Sequence, residues 1–266
     1  MKRSSVVWAV GAWAVMAALL VGCGGGGGGA STGGSGGGGG TGSAAREAGQ
    51  YMEFVNGSGA VVDPMNFNQG QVVQAVIANY DPSGNRSLIP ATGYTISGAG
   101  ASGVSLTPTG QLVITTAGTG RFNVRVTATV AGASRTFDHD GFAPGPGATN
   151  IVRGAVVNSA GVPIVGVQVE LFDDLGNLVG GGVTGPGGSF NSRTTATGRR
   201  LTMRPQTVPP SLFRALQYQG KNYALAGVTC TITLPATAPG AQFQLPANLV
   251  LVRQLDGPPP PPDGCQ

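Results

Sequence analysis

The stretch "GRFNVRVTATVAG" at 120–132 constrains this chain more than any other. Phe122, Val124, Val126, Ala128 and Val130 fall on one side of an extended backbone, and Arg121, Asn123, Arg125, Thr127 and Thr129 fall on the other. Side chains alternate across a strand with a period of two, so the pattern builds one apolar and one wet face; a helix would scatter it around its axis. "QVVQAVIANY" (71–80) and "GQLVITTAG" (110–118) repeat the alternation, and turn dipeptides such as Asn56-Gly57 and Ser83-Gly84 separate such bursts. Composition points the same way. With 48 Gly and 19 Pro in 266 residues and only 10% charged, the chain suits short strands joined by many turns. The fold class expected is all-β, as two β-sandwich domains.

Residues 50–141 carry roughly seven such strands, about what one Ig-like sandwich needs. The segment resembles the bacterial Ig-like domains of surface proteins. "GFAPGPGATN" (141–150) reads as a Gly/Pro hinge, which places a boundary at 142–149. Beyond it, "NIVRGAVVNSAGVPIVGVQVELFDDLGNLVGGGVTGPGGSF" (150–190) gives a strand with Gly154, a turn ending Gly161-Val162-Pro163, and a strictly alternating strand in which Val167, Val169 and Leu171 share a face. A turn at Asp174-Leu175-Gly176-Asn177 follows, then another strand and Thr184-Gly185-Pro186-Gly187-Gly188-Ser189-Phe190. This arrangement resembles the carboxypeptidase regulatory-like domain, a transthyretin-like (prealbumin-like) β-sandwich. The resemblance implies a sandwich over 150–255 with Phe190 plugging one end of its core. Gly185 stands where that family usually has an acidic residue after the Thr.

"VTCTITL" (228–234) and "ANLVLVRQL" (247–255) read as closing strands. Between them and the motif, 205–227 is too long for a sandwich turn. Ser211 is placed to cap a short helical piece bearing Leu212, Phe213 and Leu216. The segment reads either as a partner-contacting loop or as a lid over the core end. Residues 256–266 form a Pro-rich tail whose five consecutive prolines favour polyproline II.

The N-terminus carries an address. Lys2 and Arg3 precede an uncharged stretch from Val6 to Gly22, the order of a secretory signal over 1–22. A transmembrane helix is the competing reading, but the apolar run is short and polar sequence follows it at once. Leu20-Val21-Gly22-Cys23 resembles the lipobox of bacterial lipoproteins. In that family the bond before the cysteine is cut and its thiol carries a diacylglycerol, which implies lipidation of Cys23 and, with a further acyl chain such as palmitate on the new amino group, stable membrane anchoring. Gly24 after the anchor, in place of Asp, is similar to lipoproteins sorted to an outer membrane. From Gly24 to Ala45, 14 of 22 residues are Gly, which cannot bury apolar surface; 23–49 therefore reads as a lipidated Cys and a disordered linker.

Once Cys23 is lipidated, Cys230 and Cys265 remain, and export puts them in an oxidising space, which predicts a disulfide folding the tail back onto the second domain. Two unpaired cysteines are the alternative.

The sequence pI is about 9.3, but the excess of 15 basic over 11 acidic residues halves once Lys2 and Arg3 are removed. No Lys/Arg stripe tracks a phosphate backbone, so no nucleic-acid partner is expected. Asp138, His139 and Asp140 stand together in "FDHDGF" (137–142) and read either as part of an ion site or as a polar strand end; calcium or zinc would need more ligands than these three supply. Asp173 and Asp174 are neighbours on extended backbone, so they do not converge as an acid/base pair. No catalytic, metal or cofactor site is expected, and the chain is read as a non-enzymatic envelope lipoprotein, lipid-anchored, with a structural or interaction role. A carbohydrate-binding-like role is the alternative, and an accessory to a surface hydrolase a minor one. Candidate contacts to another envelope protein or a glycan are Phe213, Arg214, Tyr218, Lys221 and Tyr223. Both Trp residues lie in the signal, which leaves the mature chain without the ring sugars most often stack on.

Overall fold

The computed structural model describes residues 46–204, 213–225, 230–253 and 262–263. The signal, Cys23, the linker as far as Ala45, Ser211, Leu212, the side chain of Arg214, most of the tail and Cys265 lie outside the described residues, while Arg46 to Gly49, read as the end of the linker, run into the first strand. The chain is all-β.

The first part has strands β1 (Gly49–Val55), β2 (Val72–Tyr80), β3 (Arg86–Ile89), β4 (Ala91–Ser97), β5 (Val104–Leu106), β6 (Gln111–Ile114), β7 (Arg121–Val130) and β8 (Ala133–Phe142). Five of them form one sheet in the order β1-β2-β6-β5 with β3 also on β2, and β4-β7-β8 form the other. The sandwich core joins both sheets. Met52, Phe54, Val73, Ala75, Ile77, Leu112 and Ile114 of one face Phe122, Val124, Val126 and Ala128 of the other. The inward set of β7 is the one its alternation dictates. Phe67, from the loop after β1, stacks on Phe122 at 5.9 Å and meets Phe54 edge-on.

The second part has β9 (Asn150–Asn158), β10 (Gln168–Phe172), β11 (Leu178–Val183), β12 (Ser189–Thr194), β13 (Arg200–Arg204), β14 (Phe213–Tyr218), β15 (Lys221–Ala224), β16 (Ile232–Thr233), β17 (Gln242–Gln244) and β18 (Leu249–Arg253). They make one continuous sheet, β15-β14-β18-β9-β12-β11-β10-β13-β16, with β17 also on β9. β9 turns the corner: Ile151–Arg153 pair in parallel with β17, and Val156–Asn158 in parallel with β18. The two arms close on one core that includes Val156, Val169, Leu171, Phe190, Leu201, Leu216 and Leu251. Phe190 lies over Gly154, its cross-strand partner. A Cβ at Gly154 would sit 2.7 Å from both Phe190 Cζ and Leu245 Cδ1, so the ring occupies the space only a glycine leaves.

Two hairpins end in the same five-residue turn. Asp81 accepts hydrogen bonds from the backbone N–H of Ser83 and Asn85 and from the Asn85 amide; Asp173 does the same with Leu175 and Asn177. Gly84 and Gly176 take the left-handed conformation, φ 82 and 83, that closes each turn. The capping residue is therefore Asp173, one position before the expected turn start. Asp174 projects to solvent and lies 3.9 Å from Arg199. Thr184 ties the expected regulatory-like turn together, donating to Ile164 O at 2.8 Å and accepting from Val167 N at 2.9 Å.

Three expectations need correction. Residues 213–216 are strand, not helix: β14 and β15 form a hairpin through Gln219-Gly220, and β14 pairs with β18. β10 is buried on both faces rather than one, with Val169 and Leu171 in the core and Gln168 and Glu170 also fully enclosed. The Gly/Pro stretch is fastened where it begins. Phe142 N–H donates to Pro64 O at 2.8 Å, Gly118 N–H donates to Ala143 O at 2.8 Å, and Phe142 and Ala143 are buried.

Candidate functional site

The polar chemistry of the folded part concentrates where the outer face of β10 meets the first sandwich. Arg121 leaves β7 on its wet side, and Asp140 leaves β8 on that side too, because Asn123 and Asp140 are cross-strand partners. Glu170 of β10 and Arg204 of β13 come from the second sandwich. Glu170 accepts from Arg121 Nη2 at 2.7 Å and from Arg204 Nε at 2.9 Å, while Asp140 lies 3.3 Å from Arg121 Nη1 and 3.5 Å from Arg204 Nη1. Asn123 donates to Asp140 at 2.9 Å and Gln168 to Glu170 at 2.7 Å. Two cations and two anions alternate, so each charge has an opposite neighbour on either side. That arrangement offsets much of the cost of taking the fully buried Glu170 out of water.

Beside this network the loop 63–68 wedges between the sandwiches. Met65 and Phe67 are wholly buried. The Asn66 amide donates to Gly181 O at 2.9 Å and Asn191 O at 3.2 Å, and its oxygen accepts from Arg193 N. Arg193 Nη1 donates to Asn68 at 2.8 Å. Asp63 starts the loop, accepting from Met65 N and from the Asn66 amide. Burial dominates these hydrogen bonds and pushes its carboxyl up to about 6.

A second cluster lies on the outer side of β1. Glu53 is buried and accepts from Arg46 Nη1 at 2.5 Å, Tyr80 Oη at 2.8 Å and Arg86 Nε at 2.9 Å. The Arg46 guanidinium lies over the Tyr51 ring, 4.1 Å from its centre. Burial raises the Tyr80 phenol, and its bond to Glu53 raises it further. A cleft of about 350 Å³ opens here, with Arg46, Glu53, Asp63, Tyr80 and Thr184 among valines of both sandwiches. Arg46 and Glu53 are paired with each other, and Asp63 is held by Met65 N and the Asn66 amide, which suits a structural joint better than a reacting centre.

Asp138, His139 and Asp140 do not converge. Asp140 faces the network and Asp138 faces Arg125, 3.6 Å away, while His139 points to the opposite side of β8 against Phe54. Its Nδ1 is 2.7 Å from Asp140 O. Burial, reinforced by Arg46, depresses the imidazole to about 4. Among the described residues no group of three or more His, Cys, Asp or Glu side chains is arranged to hold a metal ion, and no helix is long and apolar enough to cross a membrane.

The rings expected to meet a partner or glycan are core residues. Phe213, Tyr218 and Tyr223 are 3%, 6% and 8% exposed and pack against the second core. Lys221 is exposed at the hairpin end. Cys230 is buried, and its sulfur accepts from Ala224 N at 3.1 Å. Of the junction residues, sequence reading singled out only Asp140, and for an ion site; Arg121, Glu170 and Arg204 it missed as site residues. The available signal was the complementary charge on β7 and β8 of one sandwich and on β10 and β13 of the other.

No protein-family model matches the sequence, and no curated protein matches it. Among solved structures, the chain is similar to the T6 backbone pilin of serotype M6 Streptococcus pyogenes (9% identity, TM-score 0.26, 77% of this chain and 70% of that one). It is also similar to BcpA, the major pilin subunit of Bacillus cereus (10%, 0.23, 78% and 70%), and to the Bacillus anthracis TIE protein (9%, 0.25, 76% and 49%). Likenesses of this size carry no conclusion about family or role.

Proposed function

We propose that this chain is an exported envelope lipoprotein, held on a membrane through lipid on Cys23, whose two β-sandwiches act non-enzymatically as one stiff body presenting surfaces to another envelope protein. The observation that carries this reading is the alternating network of Arg121, Asp140, Glu170 and Arg204. It commits the buried charge of the junction to fixing one sandwich against the other, which is what a spacer or a display scaffold needs. The lipobox supports the address, and the Gly-rich linker supplies reach on the order of 25 Å between membrane and fold.

Fatty-acid labelling and membrane fractionation of the wild-type chain against Cys23→Ser test the reading. Label and membrane association in the wild type, both lost in the variant, are expected. An unlabelled wild-type chain in the soluble fraction contradicts it.

A further inference from the structure

The sheet β4-β7-β8 ends on β8, which is ten residues long and pairs with β7 from Ala133 to Phe142 without a break in register. In an antiparallel pair, alternate residues turn their backbone groups to the same side. Phe142 fixes which residues those are: its N–H donates to Pro64 O and its C=O accepts from Phe67 N, so both groups point away from β7. The turn agrees, because Ala131 and Gly132, φ 49 and 79, make a tight hairpin flanked by the bonded pair Val130 and Ala133. By alternation Ser134, Thr136 and Asp138 also turn their N–H and C=O outward, and among the described residues nothing bonds to those groups. The stretch 133–138 is exposed apart from the half-buried Phe137. The other edges are guarded. A bulge at Gly93 breaks β4 between Thr92 and Thr95, and β3, β5, β16 and β17 have four residues or fewer. β1 is buried from Tyr51 onward and bridged by Val61, and Asn222 on the outer side of β15 is bonded to Asp263. Short strands, bulges and covers are how sheets avoid pairing with other chains. β8 uses none of them.

We propose that β8 pairs with β8 of a second copy of this chain, antiparallel about a two-fold axis at Thr136, so that two β4-β7-β8 sheets become one. Thr136 then faces the partner's Thr136, and Ser134 faces the partner's Asp138. Each such pair exchanges two hydrogen bonds, which uses every outward N–H and C=O from Ser134 to Asp138. The edge is complementary to itself. On the wet face the Ser134 hydroxyl donates to the partner's Asp138 carboxylate, and the cross-strand row Thr92-Thr127-Thr136 runs on into the same row of the second copy. On the other face Arg135 lies opposite the partner's Phe137, a guanidinium against a ring. No like charges stand directly opposite in this register. Moving the axis to Asp138 would set two carboxylates face to face, and moving it to Ser134 would carry Asp138 past the end of the partner's strand. The pairing is independent of lipid on Cys23.

The test uses the full chain carrying Cys23→Ser, which separates association from anchoring. Sedimentation from about 1 μM to about 1 mM is expected to show a monomer–dimer equilibrium. Amide exchange at Ser134, Thr136 and Asp138 should be about tenfold or more slower at the top of that range than at the bottom, with Val124 unchanged. Thr136→Pro removes an N–H that β7 does not use, which an edge strand tolerates, and should weaken the dimer by about tenfold or more. Thr136→Lys sets two ammonium groups together at the axis, should weaken it likewise, and carries the test if the proline variant fails to fold. Thr136→Cys should link two copies in the absence of reductant, because a hydrogen-bonded pair stands about 5.5 Å apart between Cα atoms, within disulfide reach. Ser134→Cys should stay at the parent's level, since the partner's Ser134 lies about 13 Å along the strand. A chain that is monomeric throughout shows that the edge does not take a second copy, and overturns the proposal. So does a dimer that both Thr136→Pro and Thr136→Lys leave intact. Linking through Ser134→Cys as readily as through Thr136→Cys overturns the register.

Discussion

His139 and Asp63 give the fold two opposed responses to acid, and separating them is a sharp test of the junction. In the unfolded chain the imidazole takes up its proton near 6.5; in the fold it stays neutral down to about 4. Between those values the unfolded state binds more protons, so stability is lost as pH falls. Asp63 runs the other way: its carboxyl is protonated below about 6 in the fold but only below 3.8 when unfolded, so the same acidification adds stability. Each shift corresponds to about 3 kcal/mol, and between pH 6 and 4 the two nearly cancel. Asp63→Asn removes the gain and leaves the loss, so its Tm should fall from pH 6.5 to 4 by about 6–12 °C more than that of the wild type. His139→Phe keeps an aromatic ring against Phe54 and removes the loss, so its Tm should rise over pH 6 to 4 relative to the wild type. Thermal unfolding followed by circular dichroism at half-unit steps reads both slopes. The offset at pH 7 is set aside, because Asp63→Asn also disturbs the bond to Asn66. Variant slopes parallel to the wild type would refute the reasoning.

Two further outcomes follow from particular contacts. Glu170→Ala leaves Arg121 and Arg204 with Asp140 as the one carboxylate they share and should cost about 3 kcal/mol in urea unfolding; a double-mutant cycle with Arg204→Ala should give a coupling of about 1–3 kcal/mol, and a coupling near zero contradicts the network. Gly154→Ala should cost about 1–3 kcal/mol because its methyl would collide with Phe190 and Leu245, and the cost should shrink in a Phe190→Leu background, where equal costs in both would count against the packing.

What the sequence made legible was whatever a strand decides alone. The inward set of β7 and the shared face of Val167, Val169 and Leu171 follow from a period of two, while the place of Phe190 came from the resemblance to the regulatory-like domain. What it concealed depends on a partner surface. Gln168 and Glu170 look like the wet side of β10, and only the packing of the first sandwich on that side makes them buried. The hairpin at 213–224 was misread because Leu212, Phe213 and Leu216 match helical spacing, while the pairing that makes 213–218 a strand comes from β18, more than thirty residues later. The same pairing turns Tyr218 and Tyr223 from candidate contacts into core. His139 and Asp140, adjacent in sequence, part because neighbours on a strand face opposite ways.

That the two sandwiches form one body is tested most directly by calorimetry of the chain carrying Cys23→Ser. One transition, with calorimetric and van't Hoff enthalpies equal, is expected, because the buried charges of the junction cannot be exposed by unfolding one sandwich without destabilising the other. Two resolved transitions, each carrying the enthalpy of a single sandwich, would contradict it.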